Sequence, residues 1–295
     1  MPSLFLRRLQ LLLLAGVALT ARAHAAEPSG EKFPDPEPPL SILPTPDDAL
    51  IDPKMARSWG TMPARAFVAT TVDIGFVYFR PRISLGYGRP FTEWVGVDAN
   101  PIAATSHLGG YGGLRLEIPH VDFRVGPRYI RSFERTFLPE QASYARIDLE
   151  RNTGDPATTL TFEAELDLSA KLGPGLILAR GSASYVTGVP EDRFVFEETL
   201  HVIVDPPFVW RARLAYVFTF GARNQHSIGP AVDFLDIPKR DDSKTIRVGP
   251  IMRMQLSRRV EVRGSFIATV LSPDRIGRVG GDFTELGVRY RWASE

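Results

Sequence analysis

The stretch that most constrains this chain runs from Thr159 to Leu172, where every even position from Leu160 onward is apolar and the odd positions carry Thr161, Glu163, Glu165, Asp167, Ser169 and Lys171. Successive side chains of a strand point to opposite faces, so this segment is predicted to be one long strand with a greasy face and a charged face. Its 14 residues exceed the five or six typical of globular sheets and satisfy the roughly 9–11 that a tilted strand needs to cross a bilayer. Alternation alone leaves open which face is inside, because a soluble barrel shows the same pattern with its apolar side inward.

The N-terminus speaks for export. Arg7 and Arg8 precede a mostly apolar run from Leu9 to Thr20, and Ala23-His24-Ala25 offers a small-residue cleavage site, so residues 1–25 read as a signal peptide. The apolar run is too short for a spanning helix, which needs about 20 residues. Removing Arg7, Arg8 and Arg22 moves the formal charge from +1 to −2, so no basic balance points to nucleic acid as a partner. The chain has no cysteine, which excludes a disulfide framework and thiolate chemistry.

Residues 26–64 are rich in proline, with acids interspersed as in Asp35-Pro36-Glu37-Pro38-Pro39. Such a tract lacks ladder donors and cannot bury enough surface to fold, so it is expected to be an extended periplasmic leader. Leu40 to Leu43 and Met55 to Trp59 are its only segments suited to docking.

Beyond residue 64 two-faced segments recur. In 208–222, Phe208, Trp210, Ala212, Leu214, Tyr216, Phe218 and Phe220 oppose Val209, Arg211, Arg213, Ala215, Val217, Thr219 and Gly221. Ile246, Val248, Met252, Met254 and Leu256 oppose Arg247, Gly249, Arg253 and Gln255, with Pro250 interrupting the apolar side, and Val260, Val262, Phe266 and Val270 oppose Glu261, Arg263, Ser265 and Thr269. Leu286, Val288, Tyr290 and Trp292 oppose Glu285, Gly287, Arg289 and Arg291. Strands are expected at about 66–78, 83–97 (interrupted), 107–118, 121–133, 158–172, 175–188, 193–204, 208–222, 226–237, 245–256, 260–271 and 283–292. Arg80-Pro81-Arg82 reads as a turn or kink. The short breaks at 119–120, 173–175, 205–207 and 257–259 read as tight turns, and 98–106, 134–157 and 272–282 as loops. The loop lengths do not alternate cleanly: 257–259 falls on the wrong side, which points to a miscount between 80 and 100 or between 222 and 245.

The last segment resembles the terminal strand of bacterial outer-membrane β-barrels, alternating and ending on an aromatic, although Ala293-Ser294-Glu295 follow Trp292. The resemblance covers about residues 66–292. It implies an all-β, antiparallel transmembrane barrel of about 12 strands (10–14) over residues 65–295, located in the bacterial outer membrane. Lipid and the barrel-insertion machinery are then its partners, the latter reading Leu286, Val288, Tyr290 and Trp292. Aromatics near strand ends (Tyr78, Trp94, Tyr129, Phe208, Trp210, Tyr290, Trp292) and apolar faces free of lysine and arginine support lipid outside. Glu198 is the exception, sharing its parity with Phe194, Phe196, Leu200 and Val202.

With lipid outside, the charged faces line the lumen. Glu163, Glu165 and Asp167 form an acidic stripe, and Arg211, Arg213, Arg247, Arg253, Arg263, Arg289 and Arg291 a basic wall. Opposed walls would set a transverse field across a narrow water channel, whereas pairing between the same groups would close it. The expected function is a narrow passive channel for small polar or charged solutes. The alternatives are a non-conducting structural or surface-binding barrel and an outer-membrane hydrolase. Ser106-His107 and His226-Ser227 are adjacent residues that face opposite ways in a strand and so form no dyad. No cofactor or metal-ligand spacing is evident.

Overall fold

The structure, a computed structural model, describes residues 59–294 other than 76–78, 104–106, 134–135, 153, 198, 222–223, 241–242 and 277–285. The expected signal peptide, the proline-rich tract up to residue 58, and Phe76, Tyr78 and Glu198 lie outside the described residues. The strands are β1 (Arg65–Gly75), β2 (Phe79–Arg89), β3 (Glu93–Ala103), β4 (His107–Ile118), β5 (Val121–Ser132), β6 (Leu138–Pro139), β7 (Thr158–Leu172), β8 (Gly175–Thr187), β9 (Arg193–Glu197), β10 (Val202–Val204), β11 (Phe208–Phe220), β12 (His226–Asp236), β13 (Thr245–Gln255), β14 (Val260–Ser265), β15 (Ala268–Leu271) and β16 (Gly287–Ala293). One short helix, α1 (Arg146–Arg151), lies between β6 and β7.

All but β6, β9 and β10 form one antiparallel sheet in which β1 pairs with β16, closing it into a barrel. Both β14 and β15 pair with β13 and are halves of one strand, so the barrel has twelve. That strand breaks opposite Pro250, which supplies no ladder donor; the Phe266 N–H reaches the Pro250 carbonyl at 2.9 Å and Ile267 is fully buried.

The expected count is right, but two of its members exchange. Arg80-Pro81-Arg82 is inside β2, with Pro81 opposite Val72. The turn is at Pro90-Phe91-Thr92, where Phe91 has φ 63°, so 83–97 is two strands. Conversely, 193–204 is not a wall strand: it bends at His201 (φ 50°) and pairs with itself and β6 as a separate three-stranded sheet. With both corrections, 119–120, 173–174 and 256–259 fall at one end of the barrel with both described termini. The connections 133–157, 188–207, 237–244 and 272–286 fall at the other. The 205–207 segment belongs to this long-loop end.

The faces answer the inside-out question. Aliphatic side chains point out around the middle, among them Ile83, Leu85, Val97, Leu114, Val125, Leu214, Val232 and Val248, all exposed. Aromatic girdles flank them: Phe79, Tyr129, Phe162 and Tyr185 toward the long-loop end, Tyr87, Phe218, Phe220 and Trp292 toward the short-turn end. Register sets Phe162 beside Tyr185 and Tyr185 beside Phe208 at one height. Trp94 departs from expectation: it points inward, 4% exposed. A closed antiparallel barrel with an apolar belt between aromatic girdles and charges inside is the architecture of a bacterial outer-membrane β-barrel.

Candidate functional site: the charged lumen

The odd residues of β7, β11, β13, β14 and β16 share one side of the sheet, and the acidic stripe and the arginines lie on it. In the acidic stripe, Glu163 accepts from Arg128 at 2.8 Å, Glu165 lies 3.1 Å from Arg124, and Asp167 takes a two-pronged contact from Arg180 at 2.5 and 2.9 Å. Arg124 and Arg128 come from β5 and Arg180 from β8, the two strands flanking β7.

Most of the basic residues are likewise met by carboxylates, on a neighbouring strand or, for Arg263, on its own. Arg211 and Arg213 converge on Asp233, which is 1% exposed. Arg253, Arg263 and Arg291 converge on Glu261, also 1% exposed, with Arg253 Nε at 2.6 Å and Arg291 at 2.8 Å. Arg289 makes two bonds to Asp73 of β1, at 2.5 and 2.7 Å, across the barrel-closing seam. Arg247 donates to the His201 carbonyl at 3.0 Å. Several like charges are directly opposite in register, such as Arg253 with Arg263 and Arg180 with Arg213. Direct opposition is unfavourable, and carboxylates relieve it: Glu261 is shared by Arg253 and Arg263, while Arg180 and Arg213 turn to Asp167 and Asp233 on the strands to either side.

Pattern reading of the long charged strands missed a third cluster. Arg115 of β4 bonds Asp98 at 3.1 Å, Glu117 at 3.1 Å and Asp122 at 2.8 Å. Glu117 also accepts from Trp94 Nε1 at 2.8 Å, and Arg115 stacks 5.4 Å from the Trp94 ring. Glycine makes room for such flat rings. A Cβ on Gly113 would fall 2.3 Å from the Tyr111 hydroxyl, and one on Gly86 2.6 Å from the Trp94 ring. The Gly109 to Gly113 run, expected to ease bending or close packing, marks this wall.

The pairs do not fill the interior. Among inward-pointing side chains, Arg124, Arg180 and Arg263 keep 28%, 36% and 38% of their surface exposed. Space that admits water therefore borders these three side chains.

Two packed clusters flank that space. At the long-loop end, the inward-facing Val186, Val209 and Leu235 meet Val195, Leu200, Val202 and Val204 of the β9–β10 hairpin. Arg128 reaches up from the wall to Glu197 of β9 at 2.8 Å. Burial pushes the Glu197 carboxyl up, but the Arg128 guanidinium and hydrogen bonds from Thr199 outweigh it and hold the pKa below the ordinary value. Arg240 binds Asp274 at 2.6 and 2.7 Å, donates to the Ala142 carbonyl at 3.1 Å, and stacks on Tyr144 and Phe194. Four loops thus meet on one guanidinium. Burial drives the Tyr144 hydroxyl up to about 12, and it donates to the Pro139 carbonyl at 2.6 Å.

At the short-turn end, Trp59 begins the described chain in a 3-10 turn and is 2% exposed. It packs with Met62, Phe67, Trp94, Ala293 and Phe91, donates to the Arg258 carbonyl at 3.1 Å, and carries the Arg258 guanidinium 4.4 Å from its ring.

Leu286, Val288, Tyr290 and Trp292 all point to the lipid side, 39–48% exposed. Of the histidines, His120 touches Ser169 at 3.2 Å in a short turn and His226 stacks on Phe220; Ser106 lies outside the described residues. Among the described residues no three metal-ligating side chains come together.

No family model and no curated protein matches the chain. Among solved structures, the NanC porin aligns over 77% of this chain and 97% of its own length, at 10% identity and TM-score 0.33. Vibrio cholerae OmpT, expressed in the outer membrane, aligns over 77% of this chain and 96% of its own, at 8% identity and TM-score 0.32.

Proposed function

We propose that this protein is a narrow passive channel for small polar or charged solutes. The observation that carries this reading is the exposure retained by Arg124, Arg180 and Arg263, since charged side chains pointing inward at that exposure require water beside them. Bacterial barrels place long loops outside the cell and short turns in the periplasm, so the β9–β10 hairpin narrows the outer mouth and Trp59 sits at the inner one. The acidic stripe and the arginines form a polar track between them, where a desolvated ion meets fixed charges of both signs.

The test is single-channel conductance of the refolded mature protein in planar bilayers. Small, steady steps are expected, with selectivity shifted toward anions when Glu163, Glu165 and Asp167 are all replaced by lysine. A folded, heat-modifiable barrel that gives no steps would overturn the reading in favour of a non-conducting scaffold.

A further inference from the structure

Arg82 stands apart from the other lumen arginines. It lies in β2, opposite Thr71 of β1, on the inward side and half-buried. Among the described residues no carboxylate forms an ion pair with it. Its charge interacts with the cations Arg115, Arg289 and Arg124 and with the anions Asp98, Asp73 and Asp122, the last itself bonded to Arg115 at 2.8 Å. The nearby carboxylates are already committed: Asp98 to Ser84 at 2.5 Å and to Arg115 at 3.1 Å, and Asp73 to both prongs of Arg289. A guanidinium carries five donors and no acceptor, and leaving it without an anion away from bulk water is costly.

A second group nearby lacks a partner independently. The Tyr111 side chain is 6% exposed and its hydroxyl has no hydrogen-bond partner among the described residues. Tyr111 pairs in register with Asn100 of β3, the strand next to β2. Arg82 and Arg124 are both among the charges that act on its hydroxyl, and Arg124 lies over its ring at 5.7 Å. Gly113 lets the Tyr111 ring lie flat on this wall. A full positive charge on the inward side and a buried phenol without a partner thus stand two strands apart, beside carboxylates that are already committed.

We propose that Arg82 and the Tyr111 hydroxyl form a binding site for a small oxyanion, with Arg124 adding its field from the neighbouring wall. The ligand needs a negative charge and at least two acceptor oxygens, one set for the planar guanidinium and one for the phenol. Phosphate, sulfate and small carboxylates have this chemistry; chloride has the charge without the geometry. The proposal rests on the channel reading only for the route by which the anion arrives, and it names the class of solute that the channel would favour.

Two measurements on the refolded full barrel separate the proposal from that reading. The first is thermal stability in inorganic phosphate against chloride at matched ionic strength and pH 7. Wild type is expected to gain stability with phosphate, and Arg82→Gln to lose that gain, with apparent affinity weaker by about tenfold or more, the effect of one charged hydrogen-bonding group. Tyr111→Phe, which keeps the net charge, is expected to weaken phosphate binding several-fold. The second is single-channel current with phosphate added to chloride, where phosphate is expected to reduce wild-type current and to reduce that of Arg82→Gln far less. Phosphate stabilisation without conductance keeps the site and removes the channel. Conductance with no phosphate effect on wild type removes the site and keeps the channel. If Arg82→Gln fails to fold, equal stabilisation of wild type and Tyr111→Phe by phosphate and by chloride overturns the proposal without it.

Discussion

The packed clusters at the two ends of the barrel are held by different physics. At the short-turn end a single tryptophan from the preceding segment fills a gap among Phe67, Trp94 and Ala293, so the contact is mostly apolar area with one stacked arginine. At the long-loop end four connections are drawn onto one buried ion pair, Arg240 with Asp274, and the hairpin below them is held by a second, Arg128 with Glu197. An apolar plug loses stability in proportion to the area removed. A buried ion pair behaves asymmetrically: replacing it whole costs little, but removing one partner strands the other. The long-loop end should therefore fail abruptly and the short-turn end by degrees.

The largest effect is expected from Arg240→Ala, which strands Asp274 and should cost the loop assembly about 3–5 kcal/mol. The wall strands share no bond with this pair, so heat-modifiable gel mobility should persist while protease cuts within 133–157 or 188–207 become fast. Trp59→Ala follows, at about 3 kcal/mol for a large buried side chain, read as a lower temperature of the folded-to-unfolded mobility shift. Its loss should be smaller in Trp59→Phe, which keeps the area and gives up the Arg258 carbonyl bond; an equal loss in both would show that the end is held by polar contact after all.

Glu197 sharpens the same contrast through pH. Its pKa is lowered in the folded state, so its contribution is present above the unfolded value of about 4.3 and fades as pH falls through the folded value. Loop protection from protease should drop below about pH 4 in wild type, and Glu197→Gln should be weaker by about 1–2 kcal/mol at pH 7 without that acid step. The smallest effect is Arg146→Ala in α1. Its pair with Glu150 leaves the two side chains 79% and 51% exposed, and such i,i+4 pairs are worth at most about 0.5 kcal/mol.

Much of the barrel was legible because lipid enforces alternation on every strand that it touches. Where alternation is uninterrupted, as in β7 and β11, bounds and faces agree with expectation to within a residue or two. The reading failed where the rule does not apply. In 193–204 the alternating Phe194, Phe196, Leu200 and Val202 mimic a wall strand, but Val202-Ile203-Val204 is apolar on both faces and all three are buried. That is the pattern of a segment enclosed by protein. Arg80-Pro81 was misread because proline argues for a turn, yet here Pro81 takes the lipid-facing parity within β2. The inward charges were readable residue by residue; their partners were not, because pairing depends on register between strands. The acidic stripe is met by Arg124, Arg128 and Arg180, whose strands carry weaker patterns than β7.

The seam between β1 and β16 gives the Trp59 cluster a temporal meaning. Trp59 is made before any wall strand, yet its surroundings include Arg258 and Ala293, and Arg65 beside it bonds the Ser294 carbonyl at 2.5 Å. The cavity that receives this tryptophan does not exist until the final strand has been synthesised and zipped to the first. Seating of Trp59 is therefore a late event in biogenesis, and its fluorescence is a natural reporter of the moment at which the cylinder becomes whole.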